Sequence, residues 1–416
     1  MNKFNTFVKK LNIKLFDTDY NVNTTGSAGL TDEMKTYYSD YLIDLVEPRL
    51  IHDQFADKHN IPKGSGKTIE FRKYSPLQKA LTPIVEGVTP KGNSLNMSVL
   101  TAEVHQYGDY IVLSDILILA AIDNNIVQAT KLLGSQAGRT LDTVTREVMA
   151  GGTNVYFAPS VNDDGTEIVV TGRHLLTKHN KFTPDCAFRG KTALAAQNAA
   201  AIDDCFVGII HPYAAYDVMR HPEWIDVSKY ATPENYYKGE IGKIGGVRFV
   251  ESTEAKIFCG EDLSVDSRTL TVSSVADQVV TFTGGTVATE ALVGRFVIID
   301  NCKYEIIANT TTTMTLDEAP TDVKAGAIIY PGEGGAEGCA VFAVTIVGQN
   351  AYGTTEIEGG GLEHIVKPLG SGGTSDPLNQ RSSVGWKATK AAERLVENYM
   401  IRVECGSSYS LTAKAN

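Results

Sequence analysis

The sequence predicts a mixed α+β fold that carries a small all-β module inserted into one of its loops. Three patterns lead to this prediction. A segment with helical periodicity runs from Asp123 to Met149, strand and helix patterns alternate over residues 192–252, and short β patterns fill residues 261–331. A buried-strand pattern returns at residues 339–347, so the host fold surrounds the module in sequence.

The composition is that of a globular protein that can bury a core. The chain has 416 residues, enough for two or three domains, of which 43% are hydrophobic and 21% are charged. Its 38 basic and 49 acidic residues give a net charge of −11, which argues against a protein whose main task is to grip nucleic acid. The sequence contains neither a run of 18 apolar residues nor a secretory signal, so we expect a cytoplasmic protein without a membrane partner.

The first fifty residues predict an extended arm followed by a helix. The residues before Gly26 are polar and turn-rich, which favours an arm. Thr31 is a suitable N-cap for a helix, and apolar residues recur at intervals of three or four from Met34 to Val46. Pro48 then kinks or ends this helix.

Two extended segments follow, separated by a long polar loop. Ile69 and Phe71 alternate with polar residues and indicate a strand, and a second extended segment runs from Leu95 to Leu113. The loop between them, residues 76–92, is rich in Pro, Gly and Lys. The hairpin is either the edge of a meander or an arm that reaches a neighbouring subunit, since long structureless loops are uncommon without a function.

The strongest helix pattern in the chain covers Asp123 to Met149. Its apolar residues fall at intervals of three or four and define one stripe, and about 27 residues at 1.5 Å each would span roughly 40 Å. Gly151 and Gly152 then end the helix. We call this element the spine helix. The predicted stripe consists of Ile122, Ile126, Ala129, Leu133, Ala137, Leu141, Val144 and Val148.

An α/β pattern follows the spine helix. A hairpin-like stretch over residues 161–170 comes first, and a turn at Gly245-Gly246 interrupts the last strand. The predicted helices are residues 192–202 and 212–219, and the predicted strands are residues 205–211 and 242–252.

The β module has its own composition. Residues 261–331 contain 12 threonines, ten acidic residues and four basic residues, and so carry −6 of the net charge of −11. The predicted strands of the module are 270–272, 279–282, 296–299, 304–307 and 314–316. After the module, a glycine-rich loop covers Gly359 to Gly373, and an extended segment runs through Trp386 and Met400 to Glu404.

Most candidate catalytic and binding motifs do not match the full pattern that their chemistry requires. The segment Gly64 to Thr68 resembles the end of a phosphate-binding P-loop, but Ile61 stands where the first glycine belongs and a strand follows where a helix is needed. We therefore predict a flexible turn there. His174 and His179 are better explained as solvated histidines than as a metal pair, and His211 and His221 as residues that cap or pack loops.

The cysteine spacing also gives no support for a functional site. The six cysteines stand singly, at least 19 positions apart, so the sequence supports neither a zinc site nor an iron–sulfur site. We interpret them as free thiols in a reducing cytoplasm, with a disulfide framework as the alternative. The sequence predicts no catalytic residue, no cofactor-binding residue and no metal ligand, and hence no enzyme.

The order of elements and several segments carry a family resemblance. The segments are TTGSAGLTDEMKTYYSDYLI, KGSGKTIEFRKYSPL, LTPIVEGVTP, GDYIVLSDIL, FVGIIHPYAAYDVM, YGTTEIEG and DPLNQRSSVGWKA. Together they resemble the major capsid proteins of tailed phages with the Hong Kong 97 capsid fold. More narrowly, they resemble the branch found in N-four-like podophages.

The resemblance implies a major capsid protein that self-assembles into hexamers and pentamers and closes an icosahedral shell. The shell would enclose packaged double-stranded DNA without tight binding, in a virion assembled in the host cytoplasm. It also implies a separate scaffolding protein or none, a portal and decoration proteins. The implied domains are an N-terminal arm and helix at 1–56, the E-loop at 57–118, a peripheral domain with the spine helix at 119–191, an axial domain at 192–260 and 332–375, the inserted β domain at 261–331, and a return to the peripheral domain at 376–416.

Placement of the segments also suggests inter-subunit contacts at Tyr74, Lys79, Arg381 and Trp386. Two further functions stay open at this stage. An encapsulin-like nanocompartment shell would share the fold, and a β-rich surface adhesin would account for the Thr-rich module. An α/β-type enzyme has only the strand and helix alternation in its favour.

Overall fold

The computed structural model describes residues 51–74, 77–81, 83, 86–87, 92–120, 125–161, 166–225, 242–372 and 376–416, and the backbone of Val22–Asn23. The helix predicted to begin at Thr31 lies outside these ranges. The chain divides into two compact units. Unit 1 contains residues 1–47, 104–140 and 356–390, and unit 2 contains residues 48–103, 141–355 and 391–416.

Unit 1 is built on an antiparallel pair of strands. His105–Ser114 pairs with the first ten residues of the strand Arg381–Arg394, and Glu363–Lys367 pairs with the other edge of that strand. Val22–Asn23 adds a short parallel pairing to Val112 and Leu113. The helices of this unit are Asp115–Ala120 and the first part of Asn125–Ala150.

Unit 2 contains a seven-stranded mixed sheet with its own core. Its central strands, Phe206–Ile210 and Val341–Val347, are buried along their whole length, as the continuous apolar runs of the sequence predict. The other strands are Lys243–Ile244, Val247–Glu251, Ile257–Phe258, Met400–Cys405 and Val155–Phe157. The helices are Pro184–Ala196, Pro212–Met219 and the second part of Asn125–Ala150, with short 3₁₀ turns at Arg173–Leu175, Ala336–Gly338 and Glu397–Tyr399.

Several smaller pairings complete unit 2. Asp57–Ile61 lies beside Tyr352–Ile357, whose first four residues pair with Ala391 to Arg394. Ser160–Val161 and Glu167–Ile168 form the predicted small hairpin. Thr68–Tyr74 pairs with Met97–Glu103 in a two-stranded sheet of its own, which we call the arm hairpin.

Residues 270–331 form a closed six-stranded barrel within unit 2. All five strand patterns of the β module coincide with barrel strands, and the sixth strand, Ile328–Pro331, was not predicted. The barrel has a separate apolar core that includes Leu270, Phe282, Val297 and Ile329. The barrel strands are Leu270–Ala276, Val279–Thr283, Phe296–Ile299, Cys302–Asn309, Thr313–Leu316 and Ile328–Pro331.

Two elements differ from the sequence predictions. The helix expected at residues 192–202 is Pro184–Ala196, because Pro184 and Asp185 provide a favourable first turn and Asn198 (φ +59°) follows the end. The extended segment Leu95 to Leu113 is two strands, since pairing in the arm hairpin stops at Glu103 and His105–Ser114 joins another sheet. The sequence of one extended segment does not show at which residue it leaves one partner strand and joins another.

The C-terminal segment joins the central sheet. Met400–Cys405 pairs with Val341–Val347 over six residues. The domain boundaries implied by the resemblance stay a prediction. Strand pairing between segments far apart in sequence carries no local signal.

The spine helix is present as a 26-residue helix, Asn125–Ala150. Ala129, Leu133 and Ala137 of the predicted stripe are buried. Leu141, Val144 and Val148 are only partly buried, and the buried residues of the second part are instead Asp142, Thr145, Arg146 and Met149. No helix within the described residues is long and apolar enough to span a membrane.

Candidate assembly surfaces

The arm hairpin has one apolar face. Phe71 pairs with Leu100 and Ile69 with Ala102, and residues that pair directly in an antiparallel ladder point to the same side. Ala102 is buried, whereas Ile69, Phe71 and Leu100 stay partly exposed. The Phe71 ring packs edge-on against the His59 ring of the same chain, 5.3 Å between centroids, so part of this face is covered and part stays available.

Further large apolar side chains are exposed at the end of the arm hairpin and in the segments next to it. Leu81 is 83% exposed, Leu95 74% and Tyr74 61%. Two of the predicted contacts, Tyr74 and Lys79, lie in this exposed part. Large apolar side chains that are exposed in the same part of a chain are candidates for an interaction. The location of these residues is therefore consistent with a contact made outside the chain.

A turn and an ion pair fix the base of the arm hairpin. Gly64 and Gly66 have φ values of +87° and +90°, which other residues rarely adopt, and Thr68 opens the strand. The segment that resembles a P-loop is thus the predicted turn before a strand. Nζ of Lys67 lies 2.5 Å from Oε1 of Glu103, across the first pair of the ladder.

Trp386 is held inside unit 1. Its side chain is 5% exposed, and Nε1 donates a hydrogen bond of 3.3 Å to Oε1 of Gln136 on the spine helix. Nε2 of the same glutamine donates to Oδ2 of Asp109 at 2.7 Å. The indole therefore packs within its own chain, and its suggested inter-subunit contact stays a prediction. Unit 1 depends on the indole to join the sheet to the helix.

Arg381, the fourth predicted contact, opens the strand that carries Trp386. Its backbone N–H donates to Oδ2 of Asp376 at 2.8 Å, and the N–H of Gln380 donates to Oδ1 at 3.1 Å. Arg381 also lines a groove of about 430 Å³ on the sheet of unit 1, together with Tyr110 and Lys367. The groove is open enough for a side chain of another molecule to enter.

Unit 1 also exposes apolar side chains that the sequence analysis missed. Leu119 is 84% exposed, Leu378 75% and Ile116 60%. Ile116 and Leu119 belong to the six-residue helix Asp115–Ala120, which is too short to show helical periodicity. Length is the reason that no sequence signal identified this second apolar surface.

A buried ionic triad lies at the edge of the central sheet. Nε and Nη2 of Arg173 each donate to the Glu404 carboxylate at 2.7 Å, and Nε of Arg402 donates to it at 2.8 Å. Nη1 of Arg402 reaches the carbonyls of Ala150 and Gly152 at the end of the spine helix. Burial lowers the pKa of Arg402, while Glu404 raises it. The triad therefore connects the strand Met400–Cys405 to the C-terminal end of the spine helix.

His211 caps the helix Pro212–Met219. Its Nδ1 accepts a hydrogen bond of 3.1 Å from the N–H of Tyr213, which is the first of the two roles, capping or loop packing, that the sequence left open. Burial lowers the pKa of His211 to about 4, so the ring is neutral at pH 7. The cap needs the neutral ring, because a protonated Nδ1 cannot accept.

The described residues also show where the candidate metal ligands and the cysteines lie. None of their His, Cys, Asp and Glu side chains form a group of three or more placed to hold a metal ion. All six cysteines are unpaired, and four of them are buried. Burial raises the pKa of Cys186 and Cys405, so these thiols stay protonated.

Comparisons with known proteins agree with this description. A family model described as phage capsid protein matches residues 121–295. The capsid structure of the cyanophage P-SCSP1u is 12% identical with a TM-score of 0.55, covering 92% of this chain and 96% of that chain. The cyanophage Pam1 capsid is 11% identical with a TM-score of 0.55, covering 94% and 100%.

A third structure gives the same result. The mature capsid of bacteriophage PhiM1 is 12% identical with a TM-score of 0.51, covering 94% of this chain and 99% of that chain. No protein with a curated description matches the chain. The chain therefore has a mixed α/β fold similar to that of tailed-phage capsid structures of the Hong Kong 97 type.

Proposed function

We propose that this chain is the major capsid protein of a tailed phage and forms the shell of its head. The arm hairpin is the observation that carries the proposal. It projects a half-exposed apolar face and an exposed apolar end, and a subunit of a closed shell buries such surfaces on its neighbours. The family match and the similar capsid structures support the same function.

The shell geometry follows from the kind of contact an arm makes. An arm that lies on a different surface of the next subunit makes a heterologous contact, and such contacts close into rings when the rotation between subunits allows it. Rings of six and five subunits are the units from which an icosahedral shell is closed. The exposed apolar residues of unit 1, such as Leu119 and Leu378, are then candidates for further contacts.

The net charge suits a container for DNA. A chain of −11 does not hold polyanions tightly, and a packaged genome must be able to leave. We propose double-stranded DNA as the enclosed content and the virion capsid as the site of the mature protein, assembled in the host cytoplasm. A separate scaffolding protein, a portal and decoration proteins would be its partners.

We assign four finer features to the same proposal. The chain belongs to the N-four-like podophage branch, on the strength of the segments that resemble it. The barrel of residues 270–331 is an insertion in a loop of the axial domain. Its ten acidic residues against four basic ones over 261–331 place it on the outer surface of the shell, away from the genome. The shell protein has no enzymatic activity.

Paired substitutions on the arm hairpin test the proposed function. Leu100 lies on the apolar face, and its neighbour Thr101 points to the opposite side of the same strand. Leu100→Asp should abolish rapidly sedimenting particles, because it places a charge in the buried contact. Thr101→Asp, the matched control, should keep them. Analytical ultracentrifugation gives the particle fraction, and circular dichroism checks that both chains are folded.

Two outcomes would contradict the proposal. Equal particle yields from Leu100→Asp and Thr101→Asp would remove the arm hairpin from the assembly contact. Particles that co-purify with enzyme cargo in place of nucleic acid would favour the nanocompartment shell of the same fold.

A further inference from the structure

A cleft of about 520 Å³ in unit 2 opens beside the barrel. Arg173 and Phe258 line it from the host sheet, and Lys303 and Phe296 from the barrel. The guanidinium carbon of Arg173 lies 3.5 Å from the centroid of the Phe258 ring, and Nζ of Lys303 lies 3.9 Å from the centroid of the Phe296 ring. Two cations, each resting on an aromatic ring, thus share one cleft.

Other cations of the cleft use their donors within the chain. Nε of Arg295 donates to Glu333 at 3.2 Å, and its Nη1 and Nη2 donate to backbone carbonyls at 3.2 and 2.7 Å. Nζ of Lys256 donates to both oxygens of Glu147 at 2.8 and 2.9 Å. Each of these nitrogens thus already has an acceptor within the chain.

Arg173 and Lys303 do have donors to spare. Arg173 uses Nε and Nη2 on Glu404, and Nη1 has no hydrogen-bond acceptor within the part of the chain that the structure describes. Nζ of Lys303 likewise contacts a ring and no acceptor among the described residues. An ammonium group carries three N–H donors, so the pair offers several donors to one ligand.

The electrostatic setting of Lys303 favours an incoming anion. Partial burial and the positive charge of Arg173 both lower the pKa of Lys303, while Glu333, Glu404 and Glu305 act in the opposite direction. An anion between the two cations would relieve their repulsion. The three carboxylates offset part of that gain, so we expect a weak site, with a dissociation constant on the order of 1 mM.

We propose that Arg173 and Lys303 together bind an oxyanion, either a carboxylate or a phosphate, in this cleft. Arginine suits a planar oxyanion because its N–H groups lie in one plane, and lysine adds a point charge that adapts to the ligand. The oxyanion has two possible sources. One is free phosphate, and the other is an acidic side chain of a second copy of the chain.

Titration of the unassembled full-length chain with inorganic phosphate tests the site. Calorimetry at constant ionic strength should show one saturable site. Lys303→Ala should weaken phosphate binding about 10- to 100-fold, the effect of removing one hydrogen bond to a charged group. Lys324→Ala, which removes an exposed lysine elsewhere in the barrel region, should leave the affinity unchanged. Lys303→Gln gives the same test with an amide that retains donors, and circular dichroism confirms folding.

Absence of saturable binding up to about 50 mM phosphate would overturn the proposal, as would equal affinity in wild type and Lys303→Ala. The source of the oxyanion is decided in the same samples. If phosphate inhibits self-association and Lys303→Ala weakens it, the oxyanion is a carboxylate of a second copy. If phosphate binds without inhibiting self-association, the oxyanion is the free ion. Because binding is measured on unassembled chain, its failure is distinct from failure of shell formation.

Discussion

Nδ1 of His52 lies 2.6 Å from Oδ2 of Asp142, and both side chains are almost fully buried. The backbone N–H of His52 donates to the other carboxylate oxygen at 2.9 Å. Tyr352 donates from its hydroxyl to the carbonyl of His52 at 2.6 Å. One carboxylate on the spine helix therefore fixes the backbone and side chain of His52, and Tyr352 from the strand Tyr352–Ile357 holds the same residue.

Asp142→Ala should destabilise the chain by about 3–5 kcal/mol, because it leaves the buried His52 without its partner. Asp142→Asn should cost less, since the amide oxygen still accepts from the backbone N–H and the amide nitrogen can donate to a neutral imidazole. Urea unfolding of the unassembled chain measures both. Equal costs for the two variants would contradict the role assigned to this pair.

Glu404→Gln should destabilise the chain by a similar amount, about 3–5 kcal/mol, because Arg173 and Arg402 lose their shared carboxylate in a buried site. Glu363→Gln provides a control, since Glu363 pairs with Lys387 at 2.9 Å while both side chains are largely exposed. Exposed pairs are worth about 0–1 kcal/mol. Comparable losses in urea unfolding would show that burial of the triad does not matter.

His211 should make stability depend on pH. Its pKa is about 4 in the folded chain against an ordinary 6.5, so the unfolded chain binds the proton more readily. The contribution is fully present above pH 6.5 and is lost as the pH falls towards 4, by at most about 3 kcal/mol. His211→Asn keeps a residue that caps helices and removes the titration. Its stability should fall less over this pH range; parallel curves for variant and wild type would contradict the assignment.

Trp386→Ala should reduce particle yield through the fold of the subunit. The substitution removes a buried ring and its hydrogen bond to Gln136, at a cost of about 3–5 kcal/mol. Trp386→Phe loses the hydrogen bond but keeps most of the packing, so its thermal midpoint and particle yield should lie between those of Ala and wild type. Unchanged particle yield in Trp386→Ala would contradict this account.

Local patterns predicted the elements whose signal is local. The five barrel strands of the β module, the helix Pro212–Met219 and the spine helix all occur where periodicity and turn residues place them. His211, for which the sequence left capping and loop packing open, caps this helix.

Long-range pairing escaped prediction. The sequence stripe extends the apolar face of the spine helix to Leu141 and Val148, but the second part buries Asp142 and Arg146. Their partners lie about 90 or more residues away, at His52 and Glu254. In the sequence alone, a buried charged residue cannot be told from an exposed one, because its partner is not known. The change of partner after Glu103 was missed for the same reason.

Electron microscopy of the negatively stained chain tests the central claim most directly. The chain would be expressed alone and then together with the genes that flank it, and both preparations imaged at high protein concentration. The proposed capsid function predicts closed shells, or rings of five and six subunits, in at least one preparation. A uniform monomer in both preparations would contradict it and would return the adhesin and enzyme hypotheses to consideration.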